Sequence, residues 1–245
     1  MSKLKVLFAC ILITIVSSSC VSLMLRTLGA YKEEAKIKNI PHKNKNILYI
    51  PIHHVGKKSF YEDIRKKVDS LQKLGYVVYE EGVKPIDESL SVTETANLKF
   101  RKMMGFYVAQ EGYLDTVNNT LFGKISYRNK RGLINQPPYK DLGVDTTKSI
   151  RADIEKHILI QKFEEKYGDI KLEQCDLETP LDSTYSLSCR EKNRKLRKAF
   201  ENYVVFELRD EHLLKTVVES PHDMILIIYG SNHLKTLKKN LEKIK

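Results

Sequence analysis

The 245-residue chain contains no nucleic-acid recognition motif, no run of basic residues interleaved with aromatics and no internal repeat. These absences matter because 42 lysines and arginines stand against 31 acidic residues, a formal charge of +11 that would otherwise suggest a polyanionic partner. With the lysines spread over helix faces, the basic balance reads as a solvated surface, and no nucleic acid is expected. Cysteine is also scarce, at four residues. Cys10 falls in an apolar stretch and Cys20 closes a serine run, which leaves Cys175 and Cys189 for the body of the protein. The loop between those two has no histidine, which argues against zinc, and two cysteines 14 residues apart suggest one disulfide in an oxidising compartment.

A hydrophobic content of 42% at this length suffices for one substantial domain. The chain starts with Lys3 and Lys5, an apolar stretch from Val6 to Val16, then Ser17-Ser18-Ser19-Cys20, the layout of a secretory signal. The Ser-Ser-Cys ending resembles the lipobox of bacterial lipoproteins, which implies lipidation of Cys20, although Ser17 stands where leucine is usual. The alternative is an uncleaved anchor, because Val6 to Leu25 is 20 residues without a strong charge, enough to span a bilayer. Both readings place the protein outside the cytoplasm, in the cell envelope, tethered to a membrane. The expected organisation is residues 1–20 as signal or anchor, 21–46 as linker or short helix, and 47–245 as an α/β domain with a mostly parallel central sheet flanked by helices.

Two apolar runs organise that domain. Ile47 to Ile52 ends in His53-His54, and Met224 to Tyr229 ends in Gly230-Ser231-Asn232-His233. Such runs read as strands buried on both faces, and ligands of open α/β sheets gather beyond the carboxyl ends of their strands. Histidines about 180 residues apart are thereby expected at one site. Between the runs, Phe60, Ile64, Val68, Leu71 and Leu74 mark a helix that stops at Gly75, and Tyr76 to Tyr79 a strand ending in Glu80-Glu81. Helices are expected over 96–114, 149–167, 191–219 and 232–244. Short strands are expected at 132–136 and 142–145, the latter with Asp145 at its end.

If His54, His233 and Glu80 or Glu81 meet, two imidazoles and a carboxylate suit a divalent transition-metal ion, whose bound water becomes a nucleophile. A second carboxylate would act as general base, and Arg209, followed by Asp210 next to an apolar helix, would stabilise a developing anion. Adjacent side chains in an extended segment alternate, so His53 and His54 are not both expected at the site.

The ordered set Pro51-Ile52-His53-His54, Tyr79-Glu80-Glu81-Gly82, Arg209-Asp210 and Gly230-Ser231-Asn232-His233 resembles the TraB, GumN and TIKI group over about residues 47–245. Pro51 replaces the glycine of the first motif, and motif position favours His54 over His53 and Glu80 over Glu81. The resemblance implies a hydrolase acting on a peptide or small molecule, with the metal-dependent peptidases of the TIKI branch as the finer reading and His54, His233 and Glu80 as ligands. Relatives in the broader superfamily imply two alternatives: a haem-binding lipoprotein of the ChaN kind, or metal-free hydrolysis as in erythromycin esterase-like enzymes.

Overall fold

The computed structural model describes residues 21–83, 90–106, 112–123, 125–181, 183 and 185–244. In chain order its elements are β1 (Lys38–Asn39), β2 (Asn46–Ile52), β3 (Val55–Lys57), α1 (Lys58–Lys73), β4 (Val77–Glu80), α2 (Leu90–Met104), β5 (Leu114–Asp115), β6 (Thr120–Leu121) and β7 (Ile125–Ser126). There follow β8 (Leu133–Asn135), β9 (Ile150–Arg151), α3 (Lys156–Tyr167), α4 (Gln174–Glu178), α5 (Arg194–Phe200), a π-helical stretch Glu201–Glu207, α6 (Leu208–Val218), β10 (Met224–Gly230) and α7 (Leu234–Lys243).

Strands β2 and β10 carry the two long apolar runs, and they lie side by side in parallel at the centre of a five-stranded sheet ordered β1-β2-β10-β4-β9. Only β1 is antiparallel. The βαβ unit from β2 through α1 to β4 is present as expected, but β10 is inserted between its two strands and pairs with both. Alternation along the strands splits the core into two layers. Ile50, Ile52, Val78, Leu226 and Ile228 pack with Phe60, Ile64 and Val68 of α1, whereas Ile47, Tyr49, Tyr79, Ile225, Ile227 and Tyr229 pack with Leu213 and Val217 of α6 and Leu237 and Leu241 of α7.

Several expected elements differ. The helix expected over 96–114 is α2, which ends by Gly105 in a left-handed conformation (φ 76°) that favours glycine. Residues 142–145 form no strand, 142 and 143 lying in a turn and 144 and 145 being irregular, and β8 pairs antiparallel with β3, outside the central sheet. Ile150 and Arg151 extend as β9 and satisfy the outer edge of β4, so the helix expected from 149 begins at Lys156. The helical path from 191 to 219 is α5, the π-helical stretch and α6 in succession, with Phe200, Val204 and Leu208 facing a side core that includes Phe163. Residues 21–46 are packed against the body, with Leu25, Ala30, Ala35 and Ile40 buried. Among the described residues no helix is long and apolar enough to cross a membrane. Residues 1–20 of the expected signal or anchor, Cys20 included, lie outside them, whereas Val21 to Leu25, which complete the 20-residue anchor stretch, are helical with Leu25 buried against the body.

Cys175 and Cys189 form the expected disulfide, with α-carbons 5.9 Å apart. Two side chains of α2 clasp the same loop. Buried Arg101 donates to the carbonyls of Asp176, Thr179 and Pro180, and Lys102 donates to Asp176 Oδ2 at 2.7 Å. A disulfide closing a loop of this size stabilises by about 3 kcal/mol through the unfolded chain. The double variant Cys175→Ser/Cys189→Ser should therefore unfold in urea with a stability lower by about 2–4 kcal/mol. An unchanged midpoint would show that the Arg101–Lys102 clasp holds the loop alone.

Candidate active site at the carboxyl edge of the sheet

The strand register brings the motif residues to one edge. Gly230 lies opposite Ile52 and Ile228 opposite Glu80, so His54, Glu81 and His233 all follow within three residues of neighbouring strand ends. Glu80 belongs to the face of Val78; its carboxyl group accepts a hydrogen bond from Ser149, and burial raises its pKa against the opposing pull of Arg151. Glu81 turns the other way. Its Oε2 accepts the Gly230 N–H at 2.7 Å and its Oε1 accepts from Arg209 Nη2 at 2.5 Å. The preferred glutamate is thus corrected from Glu80 to Glu81, because one residue along an extended chain reverses the side chain.

Arg209 is also gripped by Asp153, with Nε to Oδ1 at 2.9 Å and Nη2 to Oδ2 at 2.7 Å, a paired geometry that fits a planar guanidinium. Asp153 has no exposed side-chain surface and accepts the Gly82 N–H as well. Burial alone would favour neutral arginine, but Tyr229 and the carboxylates of Asp153 and Glu81 hold Arg209 charged, well above its ordinary pKa. Nothing in the sequence marks Asp153, because it falls inside the segment whose isoleucines imitate a helix. Asp145 does not join the site: its Oδ1 accepts from the Thr147 backbone and hydroxyl, and its own N–H donates to Gln72, near the end of α1 at the opposite edge of the sheet.

Consecutive positions on α6 face different partners. While Arg209 reaches Glu81 and Asp153, Asp210 Oδ1 lies 2.6 Å from His233 Nδ1, and both residues are over nine-tenths buried. The imidazole meets Tyr229 edge-on at 4.9 Å, and Phe206 lies 5.8 Å away. A Cβ at Gly230 would come to 3.3 Å from both Glu81 Oε2 and His233 Cδ2, so glycine lets the strand end pass between the two groups. The π-helical stretch immediately before α6 widens the helix next to these residues, a feature frequent at functional sites.

His54 occupies the rim. Its ring is exposed, lies 3.2 Å from Gln136 Oε1 through Nδ1 and stacks on Tyr113 at 4.6 Å. Burial and then the charge of Glu81 push the Tyr113 hydroxyl up to about 12, and burial together with Glu81 also raises the pKa of Tyr49, Tyr139 and Tyr229. The site is therefore ringed by phenols that keep their protons. Tyr113 and Gln136, which the sequence did not single out, arrive from short strands with no periodic signal.

His53 points away from this group, stacking on Phe60 at 5.2 Å with Nε2 buried and without a hydrogen-bond partner. Burial, with Lys32 and His54 nearby, lowers its pKa from 6.5 to about 4. The unfolded imidazole gains its proton as pH falls below about 6.5 while the folded one resists until about 4, so stability is complete above that window, declines through it and levels off beneath. After allowance for solvent screening of a half-buried ring, the loss between pH 7.5 and 4 should be about 1–2 kcal/mol. Urea titrations of His53→Gln should show a pH slope flatter by that amount; an identical slope would contradict the assignment.

The donor set does not fit the metal site expected from His54, His233 and Glu80. Glu80 faces the other side, and both oxygens of Glu81 carry hydrogen bonds from Arg209 and Gly230. The His233 Nδ1–Asp210 bond leaves the Nε2 side of the ring unassigned and is neutral on this point. Among the described residues the donor atoms that gather within 4.8 Å belong to Glu173, Cys175 and Asp176, where Cys175 is in the disulfide and Asp176 is bound by Lys102 and Tyr185. Comparison of the chain with protein-family models, with curated proteins and with solved structures finds no match.

Proposed function

We propose that the protein is a membrane-tethered hydrolase of the cell envelope that works without a metal, using His233 as general base. The observation that carries this reading is the buried Asp210–His233 pair beside the Arg209–Glu81–Asp153 cluster at the carboxyl ends of three parallel strands. Asp210 accepts the Nδ1 proton of His233 and so fixes the tautomer in which Nε2 can accept. Nε2 takes a proton from water, the water oxygen bonds to the substrate carbonyl carbon, and the carbonyl electrons move onto oxygen. Arg209 supplies positive potential, and the protonated Tyr113 hydroxyl is a donor for that oxygen. Collapse of the intermediate breaks the bond to the leaving oxygen or nitrogen, which takes the proton from the His233 imidazolium. Glu81 and Asp153 act as positioning residues, since they hold Arg209 in one orientation.

This reading agrees with the metal-free alternative implied by the resemblance to erythromycin esterase-like enzymes. The metal-dependent alternative loses the expected ligand Glu80, whose side chain belongs to the other face of the sheet. Purified full-length protein should turn over at least one member of a panel of p-nitrophenyl acyl esters and N-acyl anilides. Folded protein inert toward the whole panel and toward peptides would sink the hydrolase reading.

A further inference from the structure

The segment that follows the apolar N-terminal stretch is built rigidly against the rim of the site. Residues 21–27 are helical, Leu25 and Ala30 are each 2% exposed, and the Tyr31 hydroxyl lies 3.2 Å from Ser22 Oγ. Gly29, at φ 83°, passes so close to His53 that a Cβ there would meet Nε2 at 2.7 Å. Arg131, from the loop between β7 and β8, closes the arrangement by stacking on Tyr31 at 4.5 Å. Leu25 and Ala30 share a core with Val55, Leu114 and Leu133, of which Val55 follows His54 and Leu114 follows Tyr113 in the chain. The outer side of the segment is thereby fixed relative to the rim.

That outer side has the chemistry of a bilayer contact. Leu23 and Leu28 are 61% and 45% exposed, and Arg26, Arg128, Lys130 and Arg131 are exposed around the same packed unit. Glu33, nearby in the chain, is engaged by Lys57 at 2.5 Å. Apolar side chains among four exposed basic ones, with Glu34 an exposed acidic side chain in the same segment, suit anionic headgroups with acyl chains beneath, and the apolar stretch Val6–Val16 lies a few residues before Leu23.

We propose that this face docks on an anionic lipid bilayer and seats the His54 rim at headgroup level. Docking rests on the membrane-tether reading of the proposed function. It restricts substrates to those whose scissile carbonyl lies at the membrane surface, and it leaves the sheet edge beyond the end of α1 facing away.

The sequence contains no tryptophan, so one introduced residue is a single emitter. Full-length protein carrying Leu28→Trp, Lys130→Trp or Leu74→Trp is reconstituted into phosphatidylcholine vesicles with or without phosphatidylglycerol, and quenching by doxyl-labelled lipid is measured. Leu74 is exposed and ends α1 at the opposite edge of the sheet. Leu28→Trp and Lys130→Trp should be quenched strongly in anionic vesicles and Leu74→Trp weakly. Adding Arg128→Glu and Arg131→Glu should lower the docked-to-undocked ratio by at least about tenfold. Equal quenching at the three positions, indifference to anionic lipid, or failure to join vesicles would overturn the proposal. Turnover of the esters, anilides and peptides by the same preparations is scored separately: docking without any turnover removes the hydrolase reading and keeps the surface, and turnover without preferential quenching does the reverse.

Discussion

Arg209→Met should lower the stability of the protein by about 3–5 kcal/mol, the effect of leaving buried carboxylates without their cation. Asp153 has no exposed side-chain surface and Glu81 has 9%, so neither can recover its lost hydrogen bonds from bulk water. Against a total stability of roughly 5–15 kcal/mol for a domain, that loss puts the variant near the edge of folding. Arg209→Lys keeps the charge but cannot form the paired contact with Asp153 together with the Glu81 bond, and should fall between the two. The double variant Arg209→Met/Asp153→Asn should lose less than the sum of its parts, because the second change removes the charge that the first strands. Urea denaturation checks all three. A loss below about 1 kcal/mol for Arg209→Met would mean that the cluster is solvated and carries little.

The largest effect on turnover belongs to the Asp210–His233 pair. His233→Gln should reduce kcat/KM by about 10²–10⁴ through loss of the general base. Asp210→Asn should reduce it by a similar factor of about 10⁴ at most, for a different reason. The asparagine amide can donate to Nδ1, which drives the imidazole to the tautomer with its proton on Nε2 and removes the acceptor. Initial rates on an ester found by the panel, with circular dichroism to confirm folding, decide the matter. Folded variants that retain full activity would remove His233 from the reaction.

The parts of this arrangement visible in the sequence were those with a strong local cause. The continuous apolar runs of β2 and β10 have few alternatives as buried strands, and α1 carries a stripe of apolar residues at helical spacing. Those elements placed His54 and His233 at one edge. The choice between Glu80 and Glu81 was not legible, since it depends on the residue at which β4 stops, and a shift of one reverses the face. Asp153 was hidden for a related reason: Ile150, Ile154 and Ile158 recur every fourth residue, whereas Ile150 pairs with Tyr79 in an edge strand only two residues long. Propensity over so short a stretch is weaker than the tertiary demand to satisfy the edge of β4. Tyr113 and Gln136 arrive through β3, β5 and β8, strands of two or three residues whose pairings no periodicity announces. The π-helical turn before Arg209 leaves no mark in the hydrophobic pattern either, because its neighbours on both sides are ordinary helix.

The most direct test of metal-free catalysis by the Asp210–His233 pair is ester hydrolysis by full-length protein after exhaustive dialysis against a chelator, with metal content measured in the same sample and Asp210→Asn assayed beside it. Turnover at undiminished rate is expected in the metal-depleted protein, with its loss in the variant. Activity that disappears on depletion and returns only with an added divalent ion, or that survives in Asp210→Asn, would contradict it.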